Sequence, residues 1–216
     1  MQQAKLFEKY RPTSWGEVLG QDKIVKRVNV MRDRGAIAGN AFWISGKSGT
    51  GKTTIARLIA GEIADDFCTE EIDADSLTPN SLREIEKGMH YIGMGRGGRA
   101  LIVNEAHGLR KNVIRQLLVT LESLPAHCVV IFTTTKAGQD ALFEDYDDAG
   151  PLLSRCVQLN LNTQGLAPLL AERGRDIAQM EGLDGKAVSV YLRYLNQKHG
   201  NMRDLLQFIG SGGMLD

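Results

Sequence analysis

Apolar residues along this chain fall into two patterns, short continuous runs and stripes with helical spacing. A short apolar run bounded by turn residues is typical of a strand that is buried on both faces of a sheet. Apolar residues that recur about every three or four positions predict a helix with one buried face. The predicted strands are 41–45, 67–73, 100–103, 128–132 and 157–161, and the predicted helices are 21–34, 54–63, 79–91, 111–123, 165–181, 185–198 and 202–209.

Strands and helices alternate as far as residue 161, after which the pattern is wholly helical. Alternation of this kind predicts an α/β fold with a five-stranded parallel sheet flanked by helices. We expect two domains, an α/β domain over 1–161 and a small α-helical domain over 162–216. Residues 5–20 are predicted to be extended or turn-like, and 151–156 to form a proline turn that leads into the last strand.

The first predicted strand leads into a glycine-rich segment, GKSGTGKT, which matches the phosphate-binding pattern G-x-x-x-x-G-K-T. A strand, a glycine turn and a helix start place backbone N–H groups around phosphates at the positive end of the helix. Lys52 would reach the β- and γ-phosphates, and the hydroxyl of Thr53 would hold Mg²⁺. The sequence therefore predicts a site for ATP and Mg²⁺ built from Gly46, Gly49, Thr50, Gly51, Lys52, Thr53 and Thr54.

Polar residues that could act on the nucleotide follow the third and fourth predicted strands. Ligands of open α/β sheets bind outside the carboxyl ends of the strands. We expect Asn104 and Glu105 at the tip of the strand beside the P-loop strand, with Glu105 able to orient or deprotonate a water. Asn104 would hold the Mg²⁺ shell through one neutral oxygen, less well than a carboxylate would. Thr134 could contact the γ-phosphate or the water.

Two arginines, Arg155 and Arg203, could each pair with a phosphate through the planar guanidinium. Isolated arginines are far more often solvated surface residues, so their spacing alone identifies neither of them as functional.

The charge balance, 26 basic against 26 acidic residues, excludes an overall basic footprint, so any nucleic-acid contact needs a local patch. The best local basic surface combines the glycine-rich segment 93–99 with Arg110, Lys111 and Arg115. Charged runs are usually solvated faces, and DNA contact is therefore a weaker prediction from these residues than nucleotide binding is.

Cysteine and histidine usage predicts a reduced compartment and no metal centre of their own. The three cysteines are far apart in the chain, and His107 has no second His or Cys at metal-ligand spacing, so we interpret it as a polar strand-end residue. The opening residues are polar and mixed in charge, and no apolar run approaches the roughly twenty residues that span a bilayer. We expect a cytoplasmic protein without a membrane partner.

Several motifs occur together in one order along the chain, and as a set they are recognisable. The chain resembles the clamp-loader branch of the AAA+ ATPases, the family of bacterial DNA polymerase III gamma/tau subunits and replication factor C small subunits. The P-loop is generic, but the Ser-Arg-Cys triplet is quite specific to clamp loaders. The matching segments are Lys9-Tyr10-Arg11-Pro12, Val18-Leu19-Gly20-Gln21, the P-loop, Glu71-Ile72-Asp73-Ala74, Asn104-Glu105-Ala106-His107, Leu117-Leu118-Val119-Thr120-Leu121-Glu122, Ser154-Arg155-Cys156 and Gly200-Asn201-Met202-Arg203-Asp204.

This resemblance implies roles that spacing alone does not supply. Thr134 would be the sensor-1 residue, and Arg203 the sensor-2 residue that reaches the γ-phosphate from a helical lid domain. Arg155 would be the arginine finger that acts on ATP bound by the neighbouring subunit. The residues that would lie against the adenine and ribose are Tyr10, Arg11, Pro12 and Val18.

The family also implies partners: other clamp-loader subunits in a ring or arc, a sliding clamp, and primed DNA. The helix that begins near Lys111 would then face the duplex backbone. The resemblance is incomplete, because the family's collar domain is expected to be absent and its cysteine-rich zinc insertion is missing between Ala60 and Glu70. The acidic stretch 144–148 is longer than the family's connection there and has no assigned role.

Three functions remain open at this point. The leading one is an ATPase of clamp-loader type that acts with other subunits on DNA. Because Asn104 replaces the family's usual aspartate, the second is an ATP-binding structural subunit with little hydrolysis of its own. The third is a different AAA+ motor on DNA, such as a branch-migration or transposition helper.

Overall fold

A computed structural model describes residues 5–135 and 149–215 of the chain. The acidic stretch 144–148 lies outside the described residues.

The centre of the fold is a five-stranded sheet in which the paired strands run parallel, as the alternating pattern predicted. The strand order is β2-β3-β4-β1-β5, so β4 lies between β3 and the strand that leads into the P-loop. The strands are β1 (Asn40–Ser45), β2 (Thr69–Asp73), β3 (Arg99–Asn104), β4 (Cys128–Thr134) and β5 (Cys156–Asn160).

The middle of the sheet is buried on both faces, which explains its continuous apolar runs. Every residue of β4 is buried, and so are the residues of β1 after Asn40. The rings of Trp43 and Phe132 pack with centroids 5.5 Å apart in the core. Truncating a fully buried aromatic such as Phe132 to alanine costs about 3–5 kcal/mol, so this core dominates the stability of the sheet.

Helices with one apolar face cover the sheet. The α4 helix starts with a capping box, in which the Thr78 hydroxyl accepts from the Ser81 N–H and the Ser81 hydroxyl accepts from the Thr78 N–H. Pro79 occupies the first position of that helix, where no N–H is needed. The helices along this part of the chain are α2 (Asp22–Asp33), α3 (Lys52–Ile63), α4 (Pro79–Met89), α5 (Lys111–Glu122) and α6 (Ala149–Ser154).

The remaining helices form a second apolar cluster of their own. The buried ring of Tyr191 is at its centre, and its hydroxyl donates to Asp184 Oδ1 over 2.8 Å. Burial alone would raise the pKa of Asp184, but hydrogen bonds from Tyr191, Gln179 and Arg175 outweigh it and lower that pKa. The helices are α1 (Leu6–Lys9), α7 (Ala167–Met180), α8 (Val188–Gln197) and α9 (Met202–Gly210).

Two sequence predictions of local structure were wrong. Residues 5–20 were expected to be extended, but Leu6–Lys9 is helical because Leu6 and Phe7 pack on the second cluster. The proline turn expected at 151–156 is the helix Ala149–Ser154. Proline is tolerated in a first helical turn, where its missing N–H costs nothing, and Leu152 and Leu153 are buried in the core.

The chain divides into two compact units. The sheet unit contains Lys23–Gly46 and Lys52–Leu161, and the helical unit contains Met1–Asp22, Lys47–Gly51 and Asn162–Asp216, as far as these ranges are described. The chain therefore passes from one unit to the other at both ends of Lys47–Gly51. The two domains predicted at 1–161 and 162–216 stay a prediction.

Candidate functional site

The glycine-rich loop has the backbone that a phosphate-binding turn needs. Gly49 and Gly51 have φ angles of +75° and +94°, a region that side chains other than glycine rarely adopt. The Thr50 hydroxyl donates to the Lys47 carbonyl over 2.8 Å and closes the turn. Because α3 begins at Lys52, the first N–H groups of a helix follow the loop directly and are available to an anion.

Within the sheet unit, Thr134 lies next to the first glycine of the loop. The Gly46 N–H donates to the Thr134 carbonyl over 3.2 Å, and Ser45 is the register partner of Thr134. Thr134 is fully buried. The structure therefore brings the predicted sensor-1 residue beside the P-loop strand, at the carboxyl edge of the sheet.

The side chain of Lys52 is held close to the loop backbone. It is only 7% exposed, and its Nζ donates to the Gly46 carbonyl over 2.9 Å. The ammonium therefore lies beside the loop backbone, where a phosphate bound by the loop would be within its reach. The phosphate contact of Lys52 stays a prediction.

Within the helical unit, the start of α9 contacts the loop. A Cβ built on Gly49 would lie 1.8 Å from Asn201 Oδ1, so the asparagine occupies the space of a side chain there. The same oxygen caps α9 by accepting from the N–H groups of Arg203 and Asp204, at 3.1 and 3.3 Å. Arg203, whose guanidinium lies 5.5 Å from the Phe7 ring centroid, is thus two residues from a loop contact.

Asn104 is the middle of a hydrogen-bonded chain at the strand ends. Its Oδ1 accepts from the Thr133 hydroxyl, and its Nδ2 donates to Glu71 Oε1, each over 2.8 Å. Glu71 in turn pairs with Arg57 Nε at 2.8 Å. Both ends of the amide therefore have neighbours as partners, and Glu71 is a carboxylate beside Asn104 to which the sequence analysis gave no role.

The expectation that Asn104 and Glu105 lie on the strand beside the P-loop strand was wrong. They follow β3, and β4 separates β3 from β1. The chain order of strands does not specify their order in the sheet, because crossover connections can skip a position that a later strand fills. The strand beside the P-loop is the one that ends in Thr134.

Glu105 has an unusual backbone. Its φ of +50° and ψ of +47° are left-handed, a conformation that costs a non-glycine residue roughly 1–2 kcal/mol. Such strain concentrates at functional sites. Its carboxylate is 52% exposed, and His107 Nδ1 lies 3.4 Å from Glu105 Oε2 and 3.3 Å from the Thr134 hydroxyl. His107 therefore joins Glu105 to Thr134, a link that its sequence interpretation missed.

Arg155 lies just before the first residue of β5, at the end of the sheet where the strands begin, which is the end opposite to the P-loop (the amino edge). It precedes β5, which pairs with β1 in parallel from Ala41↔Cys156 to Ser45↔Asn160. At about 3.3 Å per residue, Arg155 is roughly 17 Å along the strand from the level of the P-loop. Its Nη1 donates to the Pro151 carbonyl over 2.9 Å, its Nη2 pairs with Glu122, and the side chain is 33% exposed.

The residues predicted to meet the base and ribose belong to the helical unit. Tyr10 donates its hydroxyl to Glu181 Oε1 over 2.5 Å, and Lys9 Nζ lies 2.6 Å from the same oxygen. The hydrogen bond from Lys9, with that from Tyr10, lowers the pKa of Glu181. Arg11 pairs with Glu8 at 2.6 Å, and Pro12 and Val18 are half-buried.

The predicted basic surface is split by the fold. Segment 93–99 leads into β3 and ends at its first residue, whereas Arg110 and Lys111 follow the strand, so the two groups lie at opposite ends of β3. Arg110, Lys111 and Arg115 are exposed at the start of α5, and the DNA contact predicted for that helix stays a prediction. In the segment before β3, Arg96 Nε lies 3.4 Å from Asp65 Oδ1, so the single basic surface predicted from the sequence was wrong.

The described ranges also bear on the cysteines, on clusters of metal-ligating side chains and on membrane-spanning helices. Burial raises the pKa of Cys128 to about 11 and of Cys156 to about 12, so both thiols stay protonated. Residues 5–135 and 149–215 contain no group of three or more His, Cys, Asp or Glu side chains that could hold a metal ion. In the same ranges, no helix is both long and apolar enough to cross a bilayer.

A phosphate-binding loop on a five-stranded parallel sheet, with polar residues at the carboxyl edge, defines a P-loop nucleotide-binding protein. Residues 42–157 match the ATPase family associated with various cellular activities (AAA), and the chain belongs to that family.

Similarity to individual proteins is consistent with this family assignment. Over 94% of the chain, it is 30% identical to the DNA polymerase III subunit gamma of Buchnera aphidicola and 29% identical to the gamma/tau subunit of Mycoplasma genitalium. It spans 60% and 36% of the length of these two proteins. The fold is similar to that of a Thermotoga maritima RuvB variant, with a TM-score of 0.74 at 20% identity over 94% of this chain and 65% of that one.

Proposed function

We propose that this chain is a clamp-loader-type AAA+ ATPase subunit. It binds ATP with Mg²⁺, hydrolyses it in an assembly with other such subunits, and helps to load a sliding clamp on primed DNA in the cytoplasm. The observation that carries the proposal is the position of Arg155, roughly 17 Å along β5 from the level of its own P-loop. The family and the similarity to gamma subunits support the same function.

The position of Arg155 supports action between subunits. A guanidinium that stabilises the transferring phosphoryl group must contact it, and the edge of the sheet that carries Arg155 is the one away from its own loop. The side chain is one-third exposed, so it is available to a second molecule. Arg155 therefore acts on the nucleotide of a neighbouring subunit, which makes the assembly the active unit.

The residues at the carboxyl edge fit a triphosphate and its metal. The left-handed glycines and the buried Lys52 suit phosphate oxygens, and Thr53 supplies a hydroxyl for Mg²⁺. Bound Mg²⁺ neutralises charge on the phosphates. Asn104 contributes to the metal shell through water, because its own oxygen accepts from Thr133.

The chemistry of hydrolysis would be carried by this chain's Glu105. Its exposed carboxylate orients or deprotonates the attacking water. His107 Nδ1 lies 3.4 Å from that carboxylate and 3.3 Å from the Thr134 hydroxyl, and it links the two residues. Arg203 reaches the γ-phosphate from the first turn of α9, whose cap already contacts the loop at Gly49. The base and ribose lie against Tyr10, Arg11, Pro12 and Val18.

Two exposed surfaces support the proposed partners. Four large apolar side chains, those of Phe67, Tyr91, Ile92 and Met94, are 69–77% exposed, and we assign them as contacts for the clamp. Arg110, Lys111 and Arg115 at the start of α5 provide positive charge for the DNA backbone.

The proposal is tested by measuring mass in solution with and without ATP and Mg²⁺, and ATP turnover with and without a sliding clamp and primed DNA. We expect ATP-dependent association that is lost in Arg155→Ala and retained in Arg83→Ala, a control arginine that is exposed on α4. Turnover should rise when clamp and primed DNA are added. Binding of ATP without turnover under any of these conditions would contradict the proposal.

A second candidate function is an ATP-binding structural subunit that offers Arg155 to a neighbour and hydrolyses little. The observation in its favour is the occupied amide of Asn104. Asn104→Asp should then raise turnover and lower the Mg²⁺ concentration needed for nucleotide binding, whereas Asn80→Asp, an exposed control on α4, should change neither. Equal turnover in the wild type and Asn104→Asp would exclude this function.

The third function left open by the sequence, another AAA+ motor on DNA, has less support. The similarity to RuvB lies at 20% identity and is evidence for the fold alone. The measurement that separates it from the leading proposal is binding to a sliding clamp, which this third function does not require.

A further inference from the structure

Glu122 is the acidic partner of Arg155, and the sequence analysis gave it no role. It is the last residue of α5, and its Oε1 pairs with Arg155 Nη2. The second hydrogen bond of the guanidinium, from Nη1, goes to the carbonyl of Pro151 in α6, over 2.9 Å. Two elements thus hold the charged end of Arg155 from different sides.

These contacts restrict the orientation of the guanidinium but occupy only part of its hydrogen-bonding capacity. A guanidinium carries five N–H donors in a planar fork. Within residues 5–135 and 149–215, the bonds to Pro151 and Glu122 use two of them, and the side chain stays 33% exposed. A long side chain with many rotamers is thereby limited to one direction while donors remain for an anion.

We propose that Glu122 is a positioning residue for Arg155, which holds the guanidinium in the orientation from which it contacts the nucleotide of a neighbouring subunit. The inference rests on the proposed function, in which Arg155 completes the nucleotide site of a neighbour. The contribution of Glu122 is preorganisation: a phosphate contact loses less side-chain freedom when the guanidinium is already oriented.

The size of the effect follows from the exposure of the pair. Glu122 is 60% exposed, and ion pairs of exposed groups are weak because water and salt screen them. Loss of the pair should therefore lower turnover by about two- to fivefold, far less than loss of Arg155 itself. The effect should shrink as salt concentration rises.

The test separates the subunit that binds ATP from the subunit that donates the arginine. The Arg155→Ala and Lys52→Ala variants are mixed at an ATP concentration that fills the first and not the second. Turnover then comes only from an interface where Lys52→Ala donates Arg155 to nucleotide bound by Arg155→Ala. Glu122→Gln is then placed in one partner or the other. It keeps the length and an acceptor oxygen and removes the charge.

We expect the mixture to regain turnover. Glu122→Gln should lower this turnover about two- to fivefold, with the KM for ATP unchanged, when it is in the Lys52→Ala partner. It should have no effect in the Arg155→Ala partner. Glu84→Gln in the Lys52→Ala partner is the matched control, because it removes an exposed ion pair with Lys87 on α4.

Other outcomes are equally informative. Unchanged or increased turnover with Glu122→Gln in the donor, or equal losses in both partners, would overturn the positioning role while the cross-subunit arginine stands. A mixture that regains no turnover, although both variants melt at the wild-type temperature, would overturn the proposed function and this inference together.

Discussion

The carboxyl edge of the sheet, where the strands end, and the amino edge, where they begin, carry different groups that could contact a nucleotide. The carboxyl edge carries the buried Lys52, the strained Glu105 and the buried Thr134. The amino edge carries Arg155, which is exposed and held by Glu122. In the proposed function, one edge binds and attacks a triphosphate, and the other supplies a guanidinium to the site of a neighbouring subunit. Turnover would then depend on contact between copies or related subunits.

The largest expected effect comes from removing the arginine of the amino edge. Arg155→Ala should lower kcat about a thousandfold or more, because an arginine finger stabilises the charge of the transition state. The dissociation constant for ATP should stay within about twofold, since the residue lies away from its own loop. Steady-state turnover and a fluorescent-nucleotide titration measure the two quantities, and a parallel loss of ATP binding would contradict the separation of the edges.

Glu105→Gln should lower turnover about a hundredfold or more while ATP binding remains, because general-base catalysis contributes roughly two to four orders of magnitude. The same change should prolong the ATP-dependent assembly, which sedimentation with ATP can follow. If turnover is unchanged, another group activates the water.

Lys52→Ala should weaken ATP binding by about ten- to a hundredfold, the range expected for a lost charge-assisted hydrogen bond. Lys47→Ala, an exposed lysine in the same loop, is the control and should have a smaller effect. Equal losses in both variants would mean that general positive charge, rather than the buried ammonium, attracts the phosphates.

The smallest expected effect concerns acid sensitivity outside the sheet. Glu181 has a lowered pKa because Lys9 and Tyr10 donate to it, so its stabilising contribution is complete above the unfolded pKa of about 4.3 and is lost as pH falls through the folded value. Glu181→Gln should therefore reduce the fall in melting temperature between pH 6 and 3. The buried pair Trp43 and Phe132 has no titratable group, and Phe132→Leu should leave that pH dependence unchanged.

The sequence supported the local features best. The P-loop, the five strands and the parallel sheet follow from short patterns, and the structure agrees with them. The order of the strands depends on long-range packing, which explains why β3 was placed beside β1 by mistake. Helix α1 was missed for the same reason, since four residues form a helix only where tertiary contacts support them.

Side-chain partners were the hardest part of the site to predict. Glu71 contacts Asn104 from another strand, and Glu122 meets Arg155 across 33 positions of sequence, so no local pattern indicates either pair. Asn201 had a recognisable signal, because an asparagine just before a helix is a common cap. Its contact with Gly49 had none, since the space beside a glycine is visible only in three dimensions.

The absence of room beside Gly49 has a mechanical consequence. Asn201 Oδ1 occupies the space of a side chain at Gly49, so a shift of the loop toward Asn201 would press on the cap of α9. Arg203 sits on the first turn of that helix and moves with it. If the proposed function holds, a phosphate that shifts the loop would therefore also displace the start of α9 through the contact of Asn201 with Gly49.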